Sequence, residues 1–127
     1  MLEIFPILVV ISGVFFTALN ARVILSRRKH NIAFGDTGHN TLIRAKSAYH
    51  NFIEFTLMFL LLSFAVEATG GSGWRLWTTS FVFFLGRLIH IKAILQHNLK
   101  LRVISIAMSH TVHIHLMIWV LFNLWSN

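Results

Sequence analysis

The chain has 127 residues, 56% of them apolar and only 12% charged, with a net charge of +7 and a mean hydropathy of +0.71. A soluble domain carries about twice that share of charge, so the composition excludes a water-soluble globule and requires a chain solvated by lipid. No cysteine is present, which excludes disulfides, thiolate metal sites and a cysteine nucleophile.

The first apolar run, residues 2–24, contains Pro6 near its start, where the first helical amides lack partners anyway. It has no basic stretch before it and no clear small-residue cleavage site, so it reads as a retained helix and not as a signal peptide. A second run covers residues 42–68. The turn Thr69-Gly70-Gly71-Ser72-Gly73 follows. Runs three and four cover residues 74–95 and 103–125, and each run is near or above the roughly 20 residues that cross a hydrocarbon core. The expected fold is all-α, a single four-helix domain embedded in the bilayer, with Trp74, Trp77 and Trp125 as interface anchors.

Basic residues collect on one side. The first loop and its flanks hold Arg22, Arg27, Arg28, Lys29, Arg44 and Lys46, the third holds Lys92, Lys100 and Arg102, and the middle turn holds only Arg75, beside Glu67. The positive-inside rule places loops one and three in the cytoplasm and both termini outside. The cations flank the spans and accompany no nucleic-acid motif, so their simplest roles are topology and headgroup contact.

Span two carries a carboxylate into an apolar run. On a helix, Ser47, His50, Asn51 and Glu54 fall at spacings of three and four and share one face. A polar stripe at membrane depth is costly and faces protein, a ligand or a water-filled cavity. Arg87 and His90 lie one turn apart on span three, next to Gly86, which permits close backbone approach. A guanidinium in the membrane requires an anion, and Glu54 is the candidate partner. Two readings of that pair stand side by side: a buried ion pair that fixes helix register, and one wall of a polar pocket between helices.

Eight histidines raise the question of a metal. In His110-Thr111-Val112-His113-Ile114-His115 only His110 and His113 share a face, and neither paired histidine boxes nor three convergent ligands are present. No metal site is expected. Interhelical hydrogen bonding is the expected role on span four.

Asn51-Phe52-Ile53-Glu54-Phe55 resembles the Asn-x-x-Glu-Tyr/Phe signature of the membrane-associated proteins in eicosanoid and glutathione metabolism, the family of microsomal glutathione transferases and leukotriene C synthase. Val23-Ile24-Leu25-Ser26-Arg27-Arg28, Phe34-Gly35-Asp36-Thr37-Gly38, Gly86-Arg87-Leu88-Ile89-His90 and Leu101-Arg102-Val103 agree in order. The chain is most similar to the short bacterial members, which implies a bacterial inner membrane. The resemblance implies a homotrimer of four-helix subunits that binds glutathione at subunit interfaces near the cytoplasmic side. Asn51 and Glu54 would contact the backbone and amino group of glutathione, Arg87 and Arg27 or Arg28 its carboxylates, and Arg102 its thiol, with Ser47, His50 and His90 on the surrounding wall.

The chain departs from that pattern at four positions. Ser47 stands where the family usually has an arginine four residues before the asparagine, with Lys46 and Arg44 nearby. Leu57 replaces a common proline, and His90 and Ile94 stand where catalytic relatives have tyrosines. The implied activity is a glutathione transferase or peroxidase acting on a lipophilic electrophile. Two other functions fit the same residues: a non-catalytic member that binds a lipid or a partner in the same cleft, and a small multidrug exporter that uses Glu54 as its proton-coupled cation site, against which the clustered arginines count.

Overall fold

The structure is a computed structural model and describes residues 1–126. Four helices, α1 (Phe5–Lys29), α2 (Asn40–Ala68), α3 (Trp74–Leu95) and α4 (Leu99–Ser126), account for almost all of it, and each is long and apolar enough to cross a membrane. The protein is an all-α, integral membrane four-helix bundle. The helices run past the apolar segments: α1 continues five residues beyond residue 24, and α4 starts at Leu99 where the hydropathy boundary falls at residue 103. Hydropathy marks the change of solvent, whereas a helix ends where its backbone hydrogen bonds find other partners.

Those partners differ at each end. Ile4 has no side chain able to cap α1, and the carboxylate of Glu67, from the end of α2, does so instead. It accepts the amide hydrogens of Glu3, Ile4 and Phe5 at 2.6, 2.7 and 2.8 Å. Arg75, expected beside Glu67, lies over the ring of Trp119 at 4.5 Å. α2 ends at Ala68, and just beyond it Gly70, with a φ of 87°, allows the Gly71 amide to reach back to the Val66 carbonyl at 2.8 Å. At the other end of the bundle, the Asn98 side-chain oxygen accepts the Leu101 amide and caps α4.

α1 packs mainly on α2, α2 touches all three other helices, and α3 pairs closely with α4. Lipid tails are as apolar as the side chains, so close packing holds the helices together more than water exclusion does. Small residues accordingly fill the contacts: Ala45, Ala48, Ser63, Ser80, Ala93, Ser105 and Ser109 are all buried. Gly86 lets α3 approach α4, since a Cβ there would stand 3.4 Å from the Met108 Cβ. The main core surrounds Phe59 and Phe83, stacked with centroids 4.0 Å apart, together with Leu8, Val66, Leu76 and Leu116. Val10, Val14, Leu57, Leu61, Phe81, Leu88, Leu121 and Phe122 are exposed, as a lipid-facing surface requires. Trp74, Trp77 and Trp125 are exposed at one end of the bundle, and the basic loops lie at the other.

Candidate functional site

The expected pair between Glu54 and Arg87 does not form. Arg87 is 1% exposed and points into the subunit. Its Nη1 donates to the Asn51 side-chain oxygen at 2.9 Å, and its Nη2 donates to the Ser105 carbonyl at 3.3 Å and to the Ser109 hydroxyl. The guanidinium also lies 4.4 Å from the centroid of the Phe55 ring, where the negative face of the ring attracts a cation. Polar atoms and an aromatic face therefore hold a buried charge for which the sequence suggested a carboxylate.

Glu54, one turn beyond Asn51, is turned outward, exposed on the outer surface of the subunit, and it makes no ion pair or hydrogen bond among the described residues. Because α2 begins at Asn40, Glu54 lies fourteen residues into the helix, roughly 21 Å along its axis. Ser47 and His50 are exposed on the same face, and Asn51 is half-buried at its edge.

His90 is also sealed inside, 2% exposed, with Nδ1 2.8 Å from the Ser105 hydroxyl. That hydroxyl donates to the Arg102 carbonyl at 2.8 Å, so the imidazole donates from Nδ1 and the pair ties α3 to the first turns of α4. Sequence spacing placed Arg87 and His90 on a pocket wall. The structure places both behind the wall, because the contact between α3 and α4 covers that face of α3.

His113 makes the interhelical hydrogen bond expected on α4, its Nε2 standing 3.1 Å from the Phe55 carbonyl. His110 is exposed, with its ring 5.3 Å from that of Phe55.

At the basic end, a cleft of about 290 Å³ opens between α2 and the turn from α3 to α4. Arg44 and Ser47 contribute from α2, and His97, Asn98 and Arg102 from the turn and the start of α4, over an apolar floor of Ile43, Ala93, Ile94 and Leu99. Of the expected site residues only Ser47 and Arg102 meet here. Arg44, His97 and Asn98 have no motif that marks them; their one legible signal is the concentration of polar residues at the ends of spans two and three. The cleft brings two guanidiniums together and no carboxylate lines it.

Arg27 and Arg28 border a separate, open hollow with Ile24, Asn31, Ile32 and Ala33. Nη1 of Arg27 donates to the Gly35 carbonyl at 2.8 Å and closes the first loop. Asp36 organises the other side of that loop. It accepts the Gly38 amide at 3.1 Å and pairs with Lys46 at 3.4 Å, and these two contacts hold its carboxyl below its ordinary value.

The profile of the MAPEG family matches residues 5–122, nearly the whole chain. The chain belongs to the MAPEG family. No curated protein and no solved structure matches it. MAPEG proteins include glutathione transferases and peroxidases. Membership gives the exposed α2 face of this MAPEG chain a context, because that face carries the signature residues Asn51 and Glu54 and leads directly into the cationic cleft.

Proposed function

We propose that the protein is a glutathione-dependent transferase or peroxidase that acts on lipophilic electrophiles from within the membrane. The observation that carries this reading is the arrangement along α2. An unpaired, exposed acid, Glu54, and a cleft with two unneutralised guanidiniums, Arg44 and Arg102, lie along one surface of the helix, with Asn51 and Ser47 between them. Glutathione carries the complementary set: an ammonium, two carboxylates and a thiol. Asn51 uses its carbonyl oxygen on Arg87, which leaves its NH₂ group to donate to a peptide carbonyl. Arg87 and His90 support this surface from behind.

Arg102 is the thiol activator in this reading. It is exposed at the start of α4 and lines the cleft, and a guanidinium beside sulfur favours the thiolate, which is the nucleophile. The thiolate attacks an electrophilic carbon of the acceptor. The new carbon–sulfur bond forms as the bond to the leaving group breaks, the leaving group takes the electron pair, and the thiol proton passes to water. With a hydroperoxide as acceptor, two glutathiones give the disulfide, the alcohol and water.

The functional unit is a homotrimer whose subunits meet through α2, oriented with the basic end in the cytoplasm of a bacterial inner membrane. Support comes from Glu54, which makes no ion pair or hydrogen bond within the subunit among the described residues, and from Arg27 and Arg28, which lie outside the cleft lined by Arg102 and would reach a ligand only from an adjacent copy. Isothermal titration of the detergent-solubilised protein with glutathione, followed by conjugation to a chloronitrobenzene acceptor, tests the activity, and native mass spectrometry tests the trimer. Saturable binding and turnover by a trimer are expected. Absence of glutathione binding overturns the proposed function, and a monomer in every detergent overturns the shared interface.

A further inference from the structure

The seam between α1 and α2 carries a second recess, away from the basic end. Phe15 stacks on Phe52 with centroids 5.4 Å apart, and Phe16 leans on Tyr49 at 5.4 Å, which fixes how the two antiparallel helices stand beside each other. One turn further towards the tryptophan end of each helix come Ser12 and Thr56, level with one another across the seam. Both are buried, 5% and 4% exposed, and neither hydroxyl makes a hydrogen bond among the described residues. A helical hydroxyl has a ready acceptor in the carbonyl one turn earlier, and Ser80, Ser109 and Thr111 donate to it at 2.7, 3.1 and 2.9 Å. Ser12 and Thr56 instead line a hollow of about 230 Å³, together with Gly13, Phe16, Phe52 and Leu57, and no charged residue lines it. Its mouth opens on the lipid-facing surface, where Phe16 and Leu57 are exposed. Thr56 is twelve residues from Arg44, roughly 18 Å along α2, so the hollow is separate from the cationic cleft.

We infer that this hollow binds a neutral, lipid-soluble ketone or quinone, whose carbonyl oxygen accepts both hydroxyls and whose ring lies against Phe16 and Phe52. A buried hydroxyl without an acceptor is an incomplete contact, and at this depth no water is at hand to complete it. The acceptor therefore arrives with a ligand. Apart from the two hydroxyls the lining is apolar, so a charged or strongly polar molecule would lose its hydration without compensation. Two donors level across a seam converge on one oxygen with two lone pairs, which a carbonyl provides. The two phenylalanine rings favour a flat ring beside them over a flexible chain. The site is independent of the glutathione reading, because none of its residues belongs to the cleft.

The test is photolabelling of the full chain in lipid nanodiscs, without glutathione, by benzophenone, an aryl ketone that inserts into neighbouring C–H bonds under ultraviolet light. Peptide mass spectrometry should find saturable labelling on the segments Ser12–Phe16 and Phe52–Leu57. Fluorenone and fluorene share one ring skeleton and differ by the carbonyl. Fluorenone should suppress the labelling at about one-tenth of the concentration that fluorene needs, the difference expected from two neutral hydrogen bonds. In the Ser12→Ala/Thr56→Val double variant the two should compete equally, with an unchanged melting temperature, because the lost hydroxyls had no partner in the protein. Equal competition in the wild type overturns the assignment, as does a preference for fluorenone that survives in the double variant. Labelling spread evenly over the lipid-facing residues of all four helices removes the site. So does an unlabelled seam, the result that a second copy of the chain covering the hollow would give. If the double variant melts early, Gly13→Leu takes its place. A Cβ at Gly13 meets nothing within 4 Å, so the added side chain fills the hollow without moving either helix, and labelling of the seam should vanish. Labelling that persists in that variant overturns the site.

Discussion

Arg87 on α3 donates from Nη1 to the side-chain oxygen of Asn51 on α2 at 2.9 Å, so a residue of the family signature supports the core before it meets any ligand. The guanidinium is held by this bond, by Ser105 and Ser109 on α4, and by the Phe55 ring, which makes it the point where three helices are tied together. Asn51 thus has one polar group for the fold and one for the surface.

The bond between Arg87 and Asn51 is separable from the rest of the cluster by a double-mutant cycle. Asn51→Leu leaves a buried charged donor without its acceptor and should cost about 1.5–3 kcal/mol, whereas in an Arg87→Met background the same change should cost under about 1 kcal/mol. Thermal melts of the four proteins in one detergent measure the difference. Equal costs in both backgrounds would show that the bond contributes nothing.

Glu67 caps α1 from another helix, so its loss should be felt sixty-odd residues away in sequence. Glu67→Ala should destabilise the protein by about 2 kcal/mol and speed hydrogen exchange at the amides of Glu3, Ile4 and Phe5, which it accepts. Glu67→Gln keeps one acceptor oxygen and should fall between. Unchanged exchange at those three amides would show that water caps α1 equally well.

The first loop should loosen in mild acid. The His30 and His39 rings meet in a tilted contact with centroids 3.6 Å apart, joining the end of α1 to the start of α2, and His30 Nε2 is buried without a partner. Removal of water from the ring, then the neighbouring His39 and Lys29, lower the pKa of His30. A histidine with a lowered folded pKa binds fewer protons folded than unfolded, so its contribution is complete above the unfolded value of about 6.5 and is lost as the pH falls through the lower folded value. Hydrogen exchange across residues 30–39 should quicken as the pH falls from about 7 to 5, after correction for intrinsic rates. In His30→Phe the pH dependence should disappear. Its persistence in that variant would assign it to another group.

Arg102→Ala should spare glutathione affinity to within a few fold and remove most turnover. A thiol of pKa about 8.5 is only a few per cent thiolate at pH 7, so a rate that depends on thiolate is the first property lost with the cation. The ultraviolet absorbance of bound thiolate should vanish in the same variant. Full turnover in an intact trimer would assign Arg102 to the lipid headgroups.

The membrane class, the four spans, the concentration of cations at one end and the family were legible in the sequence, because each depends on local composition or on residues a few positions apart. Long apolar runs report their solvent regardless of what packs beside them, and the spacing of Ser47, His50, Asn51 and Glu54 follows from helical periodicity alone. The partners of the charges were not legible. Arg87 met Asn51, Ser105, Ser109 and an aromatic ring where Glu54 was expected, because the rotation of α2 about its own axis is set by packing against three neighbours, and that rotation turned Glu54 outward. Hydropathy also missed the cap that Glu67 places on α1 and the cleft between Arg44, Ser47 and Arg102. Both join segments distant in the chain, and only the close approach of helices through small buried residues brings their polar groups within a few ångströms.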